Sequence, residues 1–365
     1  MKRVLVVHQY RPPGSFQDRQ RGPMYAPLFE EAGFQPSFIG RHPMPMLSGA
    51  RSRLQVLLAE SLLIKALNRI RDRILTPIND RRVLSKARKA DVIVLVKTDS
   101  PSLVDRLRRR TKARLVYDLA DSIWRDGAGK TRPDLLAMLS KPHALTIDNG
   151  FALGFARTLG PEVHLWPSAA YVEEFDARRA MSRRDRDGRL VIGWIGSHTT
   201  VPNLYLVVEA IEDIARKYPA VEVRLLGIPP GHEILRRFEH ARVSTRSTYS
   251  TREMIDEVLA MDIGLYPMFD LEDSGMHGTT KGVIYMAGGA VVVASPVHDV
   301  ATLVKDGQNG LLAEGRRQWA TALDRLISDA ALRSHLRETA LVTARSRGSL
   351  AACFAAMRPA LGPDG

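Results

Sequence analysis

The chain has 365 residues, 45% hydrophobic and 25% charged, with a formal net charge of +13. That length suits two domains rather than one core, and the composition excludes a disordered or fibrous chain. A single cysteine, Cys353, excludes an internal disulfide and fits a reducing, cytoplasmic setting.

The charge is unevenly placed. Residues 1–175 hold 29 Lys/Arg against 17 Asp/Glu, and residues 51–90 alone hold 11 against 3. A field of that sign argues for an anionic partner on the first half: nucleic acid, or else an anionic membrane surface or lipid-linked acceptor. A basic, solvated face is the plainer alternative.

The opening MKRVLVVHQY has an apolar run too short for a secretory signal, and RVLVVH (3–8) reads as a first buried strand. Next comes HQYRPPGSFQDRQRG (8–22), with Gly14 beside the cations Arg19 and Arg21. The segment RLQVLLAESLLIKALNRIRDRIL (53–75) is rich in leucine and arginine. It predicts a helix that either lies peripherally on an anionic inner-membrane surface or presents an ordinary solvated basic face. Residues 51–90 contain no Phe, Tyr or Trp for base stacking, which argues against nucleic acid. No stretch approaches the roughly 20 apolar residues that cross a bilayer.

DVIVLVK (91–97), RLVYDL (114–119), HALTID (143–148) and VHLW (163–166) continue the strands of the first half. VYDLADSIW (116–124) places Asp118 and Asp121 near a strand end. Carboxylates there can bind sugar hydroxyls or orient an acceptor, or simply serve a turn and a helix cap. The polar stretch 167–189 marks a boundary. The expected division is an N-terminal domain at 1–170, a linker at 171–189, a C-terminal domain at 190–345, and a last helix and tail at 346–365.

LVIGWIG (190–196), VEVRLLG (221–227), IGLYP (263–267) and AVVVAS (290–295) are the expected strands of the second half. PNLYLVVEAIEDIARKY (202–218) is an amphipathic helix between two of them. Apolar strands separated by helices, in an order that occurs twice, imply an α/β chain of two Rossmann-like domains with doubly wound parallel sheets.

Ligands of such sheets bind beyond the carboxyl ends of the strands. GSHTTVPNL (196–204) offers Gly196 for close backbone approach and Ser197 to Thr200 at a helix start. No GxGxxG fingerprint with a distant acidic residue is present, which argues against a nicotinamide dehydrogenase. GTTKGVIYMAGG (278–289) begins a second helix with Gly278, Thr279 and Thr280 at its open N–H end. Lys281 opposes the helix dipole there unless an anion such as a diphosphate lies between them; a lysine snorkelling into solvent is the bland alternative. No spacing of His and carboxylates suits a metal, and no GxSxG elbow or Walker lysine loop occurs. His198 and His277 read as polar loop residues.

Over about 190–345 the chain resembles the C-terminal domain of retaining glycosyltransferases with the GT-B fold, the family 4-like group. The resemblance is carried by VIGWIGSHTTVPNL, YSTREMIDEVLAMDIGLYPM, KGVIYMAGGAVVVASPVHDVATLVKDGQNGLL and WATALDRLISDAALR. HQYRPPG, VYDLADSIW and HALTIDNGFALGFARTLGPEVHLWPS carry it more weakly in the first half. It implies two domains facing across a cleft, an acceptor domain first and a nucleotide-sugar domain second. The implied reaction is metal-independent sugar transfer, with retention, from a nucleotide-diphosphate sugar to a glycan, a lipid-linked acceptor or a small molecule. The donor is a UDP-sugar, or else a GDP- or TDP-sugar, and serves as co-substrate, with no resident cofactor.

By the same resemblance, Lys281 matches the lysine of a motif reading G-F-K-x-x-x-Y-M-A-x-G. Asp118 and Asp121 resemble an acidic D-x-D-D segment with one carboxylate missing. Lys281, Asp118, Asp121 and Arg19 are therefore the expected catalytic residues. Gly14, Gly196, Ser197, Tyr249, Asp273, Gly278, Thr279 and Thr280 are expected around the donor, with Thr248 and Tyr249 near its base. Ile284 and Met276 stand where many relatives place glutamates. Asp270, Glu272 and Asp273 are candidates to replace the sugar contact, and Arg19, Arg21 and Lys281 to supply phosphate charge. The missing glutamates leave open a GT-B-shaped protein that binds a ligand or partner without transferring sugar.

Overall fold

The structure is a computed structural model that describes residues 1–10, 21–42, 62–119, 130–181, 189–271 and 278–362. The chain divides into two compact units, Met1–Ser168 with Phe354–Gly365, and Ala169–Cys353. The stretch expected as a linker contains the helix Val172–Met181, which belongs to the second unit. Past Cys353 the chain belongs to the first unit.

The first unit is built on strands β1 (Lys2–Tyr10), β2 (Phe34–His42), β3 (Val92–Val96), β4 (Arg114–Asp118), β5 (Ala144–Ile147) and β6 (Glu162–Leu165). All pairings are parallel, in the order β2-β1-β3-β4-β5-β6. Val92 to Val96 are buried without a break, as expected of a strand covered on both faces. At the carboxyl end of β4, Asp118 is fully buried. Arg21 donates from Nε to its Oδ2 at 3.0 Å, and Thr146 of β5 donates from Oγ1 to Oδ1 at 2.9 Å. The same guanidinium donates to the carbonyls of Trp166 and Pro167 and stacks 4.6 Å from the Trp166 ring centroid. Burial disfavours the Arg21 charge, and Asp118 with Tyr25 and Asp148 more than offsets it, so its pKa is raised.

The second unit holds β7 (Val191–Ile195), β8 (Glu222–Leu226), β9 (Arg242–Arg246), β10 (Ile263–Tyr266), β11 (Val291–Ala294) and β12 (Gly310–Leu312). These are parallel in the order β12-β11-β10-β7-β8-β9. Chain direction across the sheet reverses between β7 and β10, which makes their carboxyl ends the topological switch point. Leu204, Val207, Val208, Ile211 and Ile214 are buried against this sheet together with Trp194 and Trp319. The amphipathic run that contains them is split into a 3-10 helix, His198–Leu206, and an α-helix, Val208–Lys217. Pro202 lies in the first piece, and Val207 leaves helical φ at the break. The D-G-x-N-G turn is a structural device. Asn309 accepts from Lys305 N at 2.7 Å and donates to Leu303 O at 3.0 Å, and Asp306 accepts from Leu312 N at 2.8 Å.

Each strand read from the sequence is present, and three more were not read: β2, β9 and β12. All three lie at sheet edges. β2 carries Pro36, which an edge tolerates, β9 is mostly exposed, and β12 is only three residues long. An edge strand has less surface to bury, so its apolar signal is weak.

Asp118→Ala leaves the Arg21 charge buried without its partner. The first unit is expected to lose about 3–5 kcal/mol, measured by chemical denaturation.

Candidate functional site

The second unit's site begins where two strands part. β10 pairs with β7 only through Ile263–Ile192 and Gly264–Gly193, whereas β7 stays paired with β8 as far as Ile195 and Leu226. Beyond Gly193 and Gly264 a crevice therefore opens on the β10 side of β7, and the Ile195 N–H needs a partner from outside the sheet. Tyr285 supplies it: its hydroxyl accepts from Ile195 N at 2.7 Å. The helix that carries it, Thr280–Gly288, can come this close because position 264 has no side chain. A Cβ there would lie 2.5 Å from Tyr285 Cγ.

Lys281 precedes Tyr285 by one turn, and residues i and i+4 share a helix face. Its Nζ donates to Thr200 Oγ1 at 3.2 Å and lies 5.7 Å from the Trp194 ring centroid. No carboxylate among the described residues pairs with it. Burial pushes its ammonium down to about 8. The helix starts after Thr279, whose side chain makes no capping hydrogen bond, and Val283 N is the first amide to reach back, to Thr279 O at 3.2 Å. The amides of Thr280, Lys281 and Gly282 thus form an open N–H end beside a desolvated cation. Gly278, Thr279 and Thr280 are all partly exposed.

The loop after β7 closes the other side. Gly196 N donates to Leu226 O at 2.9 Å, and Tyr249 donates from its hydroxyl to Gly196 O at 3.1 Å. Burial raises the Tyr249 pKa. Gly196 has no room for a side chain, since a Cβ would lie 2.1 Å from the Trp194 ring. Gly227 (φ +94°) is equally constrained, with a Cβ falling 2.1 Å from Gly196 O. Ser197 N donates to Thr200 Oγ1 at 3.0 Å, so Thr200 joins the loop start to Lys281.

The structure thus brings Gly196, Ser197, Tyr249, Lys281 and the Gly278–Thr280 helix start into one neighbourhood. Sequence reasoning missed Trp194, Tyr285 and Gly227, whose roles depend on strand pairing; the apolar run around Trp194 and Tyr285 signalled only burial. Ile284 is buried, so that position offers no polar contact. Asp270 is exposed and pairs with His298 at 3.2 Å. Gly14, Arg19, Asp121, Glu272, Asp273, Met276 and His277 lie outside the described residues.

In the first unit the geometry corrects two expectations. Asp118 has both oxygens occupied and no exposure, so it holds strand ends together rather than meeting an acceptor. Arg21 is tied into the same cluster and is buried, so its guanidinium does not face a phosphate in solvent. Among the described residues, no three His, Cys, Asp or Glu side chains are grouped to hold a metal ion.

Residues 189–329 match the model of the family described as Glycosyl transferases group 1. That segment contains the whole crevice just described. No curated protein matches the chain. Solved structures resemble it over nearly its full length at low identity. HepE of Anabaena, in complex with UDP and glucose, is 13% identical over 97% of both chains, with a TM-score of 0.64. A UDP-forming α,α-trehalose-phosphate synthase of Burkholderia xenovorans, in complex with glucose-6-phosphate, is 13% identical over 99% of this chain and 100% of that one, with a TM-score of 0.66. A glycosyltransferase of Rickettsia africae is 12% identical over 97% and 96%, with a TM-score of 0.65. The fold is GT-B, and the chain resembles the group 1 glycosyltransferases.

Two measurements test this geometry. Tyr285→Phe strands a buried amide and is expected to cost about 1–3 kcal/mol in urea denaturation. Lys281 has a folded pKa near 8 against an ordinary 10.5, so the unfolded chain binds the extra proton between those values. Stability relative to Lys281→Met should therefore rise with pH across that window, by about 3 kcal/mol at most. A flat difference in denaturation free energy would mean that the ammonium is solvated.

Proposed function

We propose that this chain transfers a sugar from a nucleotide-diphosphate sugar to a hydroxyl acceptor, with retention and without a metal. The observation that carries the reading is Lys281: a desolvated ammonium, unpaired by any carboxylate among the described residues, beside an open helix N-terminus at the switch point. That arrangement suits a diphosphate, whose charge would meet both the ammonium and the helix end. The bound UDP and UDP-glucose of the Anabaena protein favour a uridine nucleotide among the possible donors.

In this mechanism the bond from the anomeric carbon to the diphosphate oxygen breaks, and the acceptor oxygen bonds that carbon from the same face. The acceptor proton passes to the departing phosphate oxygen, so no protein nucleophile is needed. Lys281 and the amides of Thr280, Lys281 and Gly282 would stabilise the charge that grows on the leaving group. Gly196 and Gly227 would let backbone approach the donor, with Tyr249 holding the Gly196 carbonyl in place. The first unit would take the acceptor; Arg19 and Asp121 remain candidate catalytic residues, Gly14 a candidate for the donor, and Asp273 for its sugar.

The burial of Ile284 favours a second reading, a donor-binding protein with weak or no transfer. With no carboxylate at that position, ribose recognition would fall to other groups.

Calorimetry with UDP, GDP, TDP and ADP separates the outcomes. One nucleotide should bind, and Lys281→Ala should weaken it roughly 10- to 100-fold. Wild-type affinity should also fall, by up to about tenfold per unit, as pH rises above about 8 and the free ammonium loses its proton. No binding of any nucleotide at millimolar concentration would overturn the proposal. Binding without turnover in an acceptor screen would select the second reading. Retention is read from the anomeric coupling of the product, and metal independence from activity in chelator.

A further inference from the structure

The helix Leu62–Ala87 of the first unit has two unlike faces. Near its carboxyl end Asn79, Asp80, Val83, Leu84 and Ala87 are buried. Asp80 anchors it there, accepting from Arg41 Nε at 2.7 Å and also pairing with Arg106. The opposite face carries large aliphatic side chains in the open: Leu63 is 67% exposed, Leu67 42%, Ile70 57%, Ile74 63% and Ile78 59%. Their spacing puts all five within roughly 80° of arc, one stripe along four turns. Isolated exposed leucines are ordinary, but a continuous aliphatic stripe of this length is not.

Charge surrounds the carboxyl end of that stripe. Arg81, Arg82, Lys86, Arg88 and Lys89 are all exposed and form no ion pair among the described residues. Arg81 falls on the same arc as the stripe. Asp80, beside Arg81 in the sequence, is on the buried face and already neutralised by two arginines, and Asp91, two residues past Lys89, pairs with Arg3.

We propose that this face docks on an anionic lipid bilayer, with the aliphatic stripe at the headgroup–acyl boundary and the Arg81–Lys89 cluster on the lipid phosphates. An apolar stripe alone would accept many partners, and the charge selects among them. A second copy of the chain would bring the same cations against these, which opposes self-association. Nucleic acid would use the cations but leave five aliphatic side chains in water, and 51–90 offers no aromatic ring for bases. A bilayer with anionic headgroups satisfies both features at once. No described helix is long and apolar enough to cross a membrane, so the contact is a surface one.

The test is co-flotation of the full chain with vesicles of equal parts phosphatidylcholine and phosphatidylglycerol, and with phosphatidylcholine alone. Wild type should float with the anionic vesicles, and much less with the neutral ones. Binding should weaken in about 1 M salt, where the Debye length is about 3 Å. The double substitution Ile70→Ser with Ile74→Ser should lower partitioning at least about tenfold. Arg81→Glu with Arg82→Glu should abolish the preference for anionic lipid. These residues lie on the solvent face, so the thermal unfolding midpoint of both variants should match wild type, which separates lost docking from lost folding. Equal flotation of wild type and the serine variant would overturn the proposal. So would a wild-type dimer that the serine variant dissolves while flotation is absent, or binding of duplex DNA that outcompetes the vesicles and ignores the serine substitutions.

Discussion

The hydrogen bond from Ile195 N to the Tyr285 hydroxyl is the contact on which the geometry of the second unit's parted strands depends. A parallel sheet that parts at its switch point exposes backbone donors in its own interior, and each must be satisfied. Here the donor is met by a side chain from the very helix whose N-terminus opens on the crevice. One interaction thus closes the backbone account of β7 and fixes the height of the Thr280–Gly288 helix against the sheet. Gly264 makes it possible by leaving room for the ring. With Tyr285 placed, Lys281 follows one turn earlier, and its ammonium has little choice but to meet Thr200 and the Trp194 ring.

The two units treat charge at their strand ends in opposite ways. In the first, Asp118 is closed off by Arg21 and Thr146, and the guanidinium is itself covered by Trp166 and two carbonyls. The ion pair is buried and bonded at both ends, so the cluster holds β4, β5 and the chain beyond β6 together. In the second, Lys281 is desolvated without a carboxylate partner among the described residues, and its lowered pKa is the cost of that arrangement. An incompletely neutralised cation beside unpaired amides is poor design for stability and good design for receiving an anion. That contrast is what supports the proposal that the donor binds the second unit.

The position of Ile284 limits what the site can recognise. The side chain is buried in the helix's packed face, so a glutamate could not simply be restored there without desolvating its charge. The backbone at Gly196 and Gly227 is bare by contrast, and the lack of side chains there is enforced by Trp194 and by the neighbouring carbonyl.

Much of this was legible in the sequence. The apolar runs determined nine of the strands, the alternation with helices determined the doubly wound class, and Gly278 to Thr280 marked the open start of a helix by their residue types alone. Residue type is enough for these because burial on both faces and the helix dipole are local consequences of composition and order. The edge strands β2, β9 and β12 escaped because edge positions need not be apolar. Asp118 misled because a carboxylate at a strand end looks the same whether it faces solvent or a buried arginine ninety-seven residues away. Tyr285, Trp194 and Gly227 acquired their meaning only when β7, β8 and β10 were laid side by side. Likewise, the leucine- and arginine-rich composition near residue 70 showed that a helix could be amphipathic. Only the packing of Asp80 decided which face turned outward, since long-range pairing, not periodicity, sets a helix's rotation against its domain.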